Sequence, residues 1–215
     1  MISTDTMLIF DLDGTLWDSA TSVADSWNLL IRQEDASLPL LSVEDIHGIM
    51  GLTMTEISHV LLPGLSNSRR ESFFQECSRF EVGYLRDHGG EVYPDLVPVL
   101  TFLRSSGYSL SIVSNCQSGY INAFLVSSGV ASLFSDWEEW ERTMKTKAEN
   151  IRLIMERNHF DKAVYIGDTE KDQEAARLAG IPFIHAAYGF GIVKGADAVI
   201  RSLGDLPSVI ETLSV

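Results

Sequence analysis

Met7-Leu8-Ile9-Phe10-Asp11-Leu12-Asp13-Gly14-Thr15-Leu16 is the stretch from which the rest of the chain can be read. Four consecutive apolar residues describe a core strand, and the run ends in two carboxylates one residue apart, followed by Gly-Thr. Carboxylates are strongly hydrated, so two at the mouth of a buried strand carry an electrostatic cost that a divalent cation would offset. Open α/β sheets bind ligands at the carboxyl ends of their strands, where Asp11 and Asp13 would stand.

From about residue 94 onward strand-like and helix-like stretches alternate. Helices are predicted at 94–106, 117–128, 146–158 and 170–179, and strands at 108–114, 131–135, 163–166 and 181–185. Gly107, Gly129 and Gly180 stand just past helix ends, the expected stop signal. Such alternation predicts an α/β fold, a Rossmann-like parallel sheet with helices on both faces. Residues 16–93 differ, with helix starts and no convincing strand. Thr53-x-x-Glu56 and Ser68-x-x-Glu71 read as capping boxes, and Phe73, Phe74, Cys77, Phe80, Tyr84 and Leu85 recur at helical spacing. The expected organisation is therefore a core domain of residues 1–15 and 94–215, with a small all-helical domain of residues 16–93 inserted after the first strand. Its connections would lie near 16–19 and 88–94.

Sixteen basic against thirty acidic residues give a net charge of −14, which argues against nucleic acid or an anionic membrane as partner. The overall field also repels anions, so any anion site must be made attractive locally. No signal-peptide pattern and no apolar run near the ~18 residues of a membrane helix is present, and a cytoplasmic protein, monomer or homodimer, is expected. Cys77 and Cys116 form no CxxC pair, and the histidines at 47, 59, 88, 159 and 185 lack zinc-site spacing.

Later segments add polar residues at predicted strand ends. Ser114 and Asn115 close one strand before a helix, where a hydroxyl and backbone N–H groups form a phosphate site or an ordinary cap. Asp168 follows the strand AVYIG, with Asp172 four residues on. No lysine precedes Lys145, and the capping box Thr146-x-x-Glu149 puts Lys147 at a helix's first position, where a cation opposes the dipole at a cost of roughly 0.3–1 kcal/mol. A residue that breaks a local rule is a candidate for function. Gly189-Phe190-Gly191 lacks the third glycine of a dinucleotide fingerprint and reads as a loop. Cys116, beside the candidate phosphate loop, is either a bystander or a thiol of lowered pKa.

DLDGTL, SIVSN, the lysine of MKTKAENI and GDTEKD resemble, in order, the four motifs of the haloacid dehalogenase superfamily, and cap position is similar to its phosphoglycolate phosphatase-like branch. The resemblance implies a Mg2+-dependent phosphatase acting on a small phosphorylated metabolite. Asp11 would be the nucleophile that forms an aspartyl-phosphate, and Asp13 the general acid and base. Ser114, Asn115 and Lys147 would bind phosphate, and Asp11, Asp13, Asp168 and Asp172 would form the metal site, Asp172 directly, through water, or only as a helix-start carboxylate. The superfamily's Lys-Pro is missing, so Lys145 remains an alternative to Lys147. Asp13 and Asp168 argue against dehalogenation, and the lack of lysine in 16–93 argues against phosphonate hydrolysis. A β-phosphoglucomutase-like phosphosugar mutase and a non-catalytic ligand-binding member are the alternatives.

Overall fold

The computed structural model describes residues 5–34, 38–52, 54–61 and 65–213. The quoted stretch forms β1 (Thr6–Phe10), buried throughout. Leu8 and Phe10 join one apolar cluster, whereas Met7 and Ile9 join a second. Successive side chains of a strand leave on opposite faces, so an unbroken apolar run means cover on both sides.

Next come β2 (Trp17–Asp18), α1 (Ala20–Glu34), α2 (Val43–His47), α3 (Met54–Val60), α4 (Asn67–His88) and β3 (Glu91–Val92). The two short strands pair antiparallel, Trp17 with Val92 and Asp18 with Glu91, so the two connections of the insertion are tied together. This pairing corrects the expectation of no strand in 16–93; two residues are too few to leave a periodic signal. Helix α4 starts two residues earlier than the Ser68 box implies, because Ser66 is the cap and accepts from the Arg69 N–H. Of the expected helical stripe, Phe73, Phe74, Cys77 and Leu85 are buried, but Phe80 is exposed. The Thr53 box lies outside the described residues.

The remainder alternates as α5 (Leu96–Ser105), β4 (Ser109–Ser114), α6 (Tyr120–Ser127), β5 (Asp136–Glu139), α7 (Trp140–Thr143), α8 (Lys147–Arg157), β6 (Lys162–Gly167), α9 (Glu170–Ala179), β7 (Phe183–Ala186), β8 (Ala198–Ile200) and α10 (Leu206–Thr212). Among the described residues six strands form one sheet in the order β5-β4-β1-β6-β7-β8, with every neighbouring pair parallel. The chain runs outward from β1 through β4 and β5, then returns to β1's other side with β6. This reversal opens a crevice at the carboxyl end of β1, where Asp11 stands.

One predicted strand was misplaced. Residues 131–133 form a 3-10 turn, and the edge strand begins at Asp136. The segment Asp-Trp-Glu-Glu looks too acidic for a strand, but its charges are met in the tertiary structure. Arg157 donates to Asp136 and Glu138 at 2.8 and 2.9 Å. Glu139 is buried and accepts from the backbone N–H groups of Gly119 and Ile121 at 3.0 and 2.9 Å, closing the start of α6. The elements β8, α7 and α10 were not anticipated.

Glu139→Ala removes the acceptor for two backbone donors at a buried helix start and should cost about 1–3 kcal/mol in urea unfolding. An unchanged midpoint would show that these donors find water instead.

Candidate active site

Four loops at the carboxyl ends of β1, β4 and β6 and at the start of α8 bring the candidate residues together. Asp11 follows β1 directly and is 4% exposed. Lys147 opens α8 under its Thr146–Glu149 capping box, and its side chain is buried. Its Nζ donates to Asp11 Oδ1 at 2.9 Å and to Asp172 Oδ1 at 2.5 Å. Burial opposes the ammonium charge, but the two carboxylates outweigh it and hold Lys147 well above the ordinary lysine range. Lys145 is exposed and stands outside this group.

Asp172 is fully buried and commits both oxygens. Oδ1 takes Lys147, and Oδ2 accepts from the Thr169 N–H at 2.9 Å and its hydroxyl at 2.7 Å as the capping box of α9. Asp168 is also fully buried. Its Oδ2 accepts from the Phe190 N–H at 2.7 Å, whereas Oδ1 meets no donor among the described residues. Oxygens of Asp11, Asp168 and Asp172 lie within 4.8 Å of one another.

Burial, reinforced by the Asp172 charge and opposed by Lys147, pushes the Asp11 carboxyl up to about 7. Burial and the charges of Asp172 and Asp11 push Asp168 up to about 8. Three clustered carboxylates against one lysine leave an excess of negative charge. An all-oxygen donor set with one orphaned buried oxygen fits a hard divalent cation such as Mg2+.

Asp13 is not part of this carboxylate group. Its Oδ1 accepts from Ser19 Oγ at 2.7 Å and from the Tyr120 hydroxyl at 2.9 Å. Burial pushes its carboxyl up to about 6, with those two hydrogen bonds opposing. Ser114 and Asn115 line the same cavity as Asp11 and Asp13, and the Asn115 amide reaches the Gly51 carbonyl at 3.4 Å. Burial drives the Cys116 thiol well upward, the opposite of an activated thiol.

The Gly189-Phe190-Gly191 loop belongs to the site, a placement that sequence reading missed. A Cβ on Gly189 would stand 2.3 Å from the Gly14 carbonyl oxygen and 2.4 Å from Asp168 Cβ. Gly14 itself has φ +77°, and a Cβ there would meet Asp168 Oδ2 at 2.3 Å. These approaches are open only to glycine. The Phe190 ring meets His47 of α2 in a tilted contact at 4.7 Å between centroids, joining this loop to the inserted helices, and the His47 Nε2 pairs with Asp18 Oδ2 at 2.9 Å. The only advance signal was a pair of glycines flanking an aromatic.

The profile of the haloacid dehalogenase-like hydrolases matches residues 8–186. The chain belongs to the haloacid dehalogenase-like hydrolase family. It is similar to the plasmid phosphoglycolate phosphatase of Cupriavidus necator, at 28% identity over 95% of this chain and 93% of the relative. The phosphoglycolate phosphatase of Rhodospirillum rubrum is likewise 28% identical, over 92% and 89%. A crystal structure from Haemophilus somnus, described as a predicted phosphoglycolate phosphatase, superposes with TM-score 0.86 at 21% identity, covering 97% of this chain and 99% of that one. The protein is an enzyme, a phosphatase of this family. No described helix is long and apolar enough to cross a membrane.

Because Asp11 and Asp168 are raised from an ordinary 3.8 to about 7 and 8, the folded protein holds protons the unfolded chain has lost. Metal-free stability should therefore fall as pH rises from about 4 to about 8. Mg2+ competes with those protons, so it should raise Tm more at pH 8 than at pH 6. Scanning fluorimetry with no shift at either pH would count against a metal site here.

Proposed function

We propose that this protein is a Mg2+-dependent phosphomonoesterase that hydrolyses a small phosphorylated metabolite through a phospho-Asp11 intermediate. The observation that carries the reading is a buried carboxylate at the sheet's switch point, flanked by Lys147 and by the unpartnered Asp168 oxygen. Asp11 and Asp168 would hold the cation, with Asp172 beside them keeping Lys147 in place. Bound there, Mg2+ would supply the positive charge that lets an anionic nucleophile approach a dianionic ester.

In the first half-reaction an Asp11 oxygen bonds to phosphorus as the P–O bond to the alcohol breaks. Asp13 gives its proton to the leaving oxygen. In the second, water attacks the phosphorus of the acyl phosphate, Asp13 takes a proton from it, and the Asp11–phosphorus bond breaks to release inorganic phosphate. A carboxyl raised to about 6 suits both roles near neutral pH. Ser19 and Tyr120, which donate to one Asp13 oxygen, would aim the other at the leaving group. Lys147, Ser114 and Asn115 would bind the phosphoryl oxygens.

Helices α1–α4, residues 16–93 with their paired connections, would act as a cap over the core. The cavity lined by Asp11 and Asp13 has a volume of about 50 Å³. Ligand pockets run to ~300–1,000 Å³, so a substrate would enter only after these helices move away. The His47–Phe190 ring contact would hold the closed form, with Asp18 orienting the His47 ring. The relatives' names point to small phosphate esters as the substrate class.

With Mg2+ present, Asp11→Asn should abolish phosphate release, and Asp13→Asn should lower kcat by roughly 10²–10⁴. Retained turnover in Asp11→Asn would remove the nucleophile assignment. Lys147→Ala should lose nearly all activity, whereas Lys145→Ala should stay near wild type; the reverse ranking would transfer the role to Lys145.

A further inference from the structure

Another buried carboxylate lines the same cavity, and the two half-reactions leave it without a role. Glu81 on α4 is 3% exposed and lines the cavity with Asp11 and Asp13. Trp27 Nε1 donates to its Oε2 at 2.6 Å, and Gln117 Nε2 donates to its Oε1 at 3.0 Å. Neither partner is charged. Burial pushes the Glu81 carboxyl up to about 8, with the two hydrogen bonds opposing and the Asp13 charge adding to the rise.

Among the described residues, no lysine or arginine of the inserted helices lines this cavity. Residues 16–93 contain no lysine. Of their arginines, Arg69 is held by Glu34 and Glu76, Arg70 by Asn67, and Arg86 by Asp87. Arg79 lines a separate groove with Trp140 and Met144, and Arg32 is exposed. Lys147 is engaged by Asp11 and Asp172. Among the described residues no basic side chain lines the cavity, whose remaining wall includes Trp27, Ile46, Ile49 and Met50.

We propose that Glu81 sets substrate class: the organic half of the substrate presents a hydrogen-bond donor, a hydroxyl or an ammonium, to this carboxyl, and a carboxylate in that place is rejected. The proposal rests on the phosphomonoesterase reading above. Each oxygen of Glu81 has a lone pair beyond the one its partner uses, so the group accepts from an O–H or N–H whether ionised or not. Neither form supplies positive charge to a carboxylate, and the single O–H of the protonated form offsets only part of the cost of burying that charge. An acid such as phosphoglycolate would bury a further anion beside Asp13 and Glu81 with no cation to pair it, and burying an unpaired charge is strongly unfavourable. The apolar wall would pack against a short carbon chain once the helices close over a bound substrate, but it cannot make good that deficit.

The test compares kcat/KM with saturating Mg2+ for 2-hydroxyethyl phosphate, O-phosphoethanolamine, phosphoglycolate and ethyl phosphate, with p-nitrophenyl phosphate as a generic ester. The hydroxyl or ammonium ester should exceed phosphoglycolate by roughly tenfold or more and should also exceed ethyl phosphate. Glu81→Gln should bring the donor-to-carboxylate ratio to within about threefold of unity, mainly through KM. That ratio is independent of the active enzyme concentration, so partial misfolding of the variant does not obscure it. Phosphoglycolate hydrolysed as well as the donor-bearing esters would overturn the proposal and leave the phosphatase standing. An unchanged ratio in Glu81→Gln would remove Glu81 from it. No metal-dependent release from any ester, p-nitrophenyl phosphate included, would overturn both readings.

Discussion

The ammonium of Lys147, buried between Asp11 and Asp172, is the interaction on which the rest of the site depends. It joins the end of β1 to the starts of α8 and α9, three segments far apart in sequence. A buried ion pair gains little over a hydrophobic substitute, but losing one partner leaves a desolvated charge with nothing to balance it. Here the imbalance exists even with the lysine in place, because Asp168 lies in the same cluster and one of its oxygens meets no donor among the described residues. Burial first, and the neighbouring carboxylate charges second, raise Asp11 and Asp168 to about 7 and about 8. A divalent cation is the simplest way to offset that imbalance, and the same charge is what an anionic substrate would need.

Around this core of charge the backbone is drawn unusually close. Gly14, Gly189 and Gly191 press against Asp168, and the Phe190 N–H fixes one of its oxygens. Through the Phe190 ring and His47, the loop that holds the carboxylate also touches the inserted helices. Asp18, in the paired connection, meets the same histidine. The carboxylate cluster and the inserted helices are thus joined by a short run of direct contacts, and the small cavity lies between them.

Much of this was legible in advance. Met7–Phe10 announced a strand covered on both faces, and residues 108–114 and 163–166 became β4 and β6 within a residue or two. The capping box at Thr146 placed Lys147 against its helix dipole, and that anomaly pointed to a residue whose position is set by tertiary contacts. Two of the misses share one cause, the burial of acidic residues. The strand at 136–139 was hidden because Asp136, Glu138 and Glu139 look like solvated surface until Arg157 and two backbone N–H groups are brought to them. Glu81 was invisible for the same reason: on α4 it reads as one more acid on a helix, and only Trp27 and Gln117 make it a buried group.

Local sequence alone determined the alternation of the central strands and helices and the residues at the ends of β1, β4 and β6, because hydrophobic period and capping chemistry act within a few positions of the chain. Tertiary structure alone decided which charges are buried together, which glycines must be glycine, and which acid faces the cavity. Those depend on distances between segments tens to more than a hundred residues apart, such as the 136 positions separating Lys147 from Asp11. Electrostatic energy is set by separation in space and by exclusion of water, and neither is written in the order of residues.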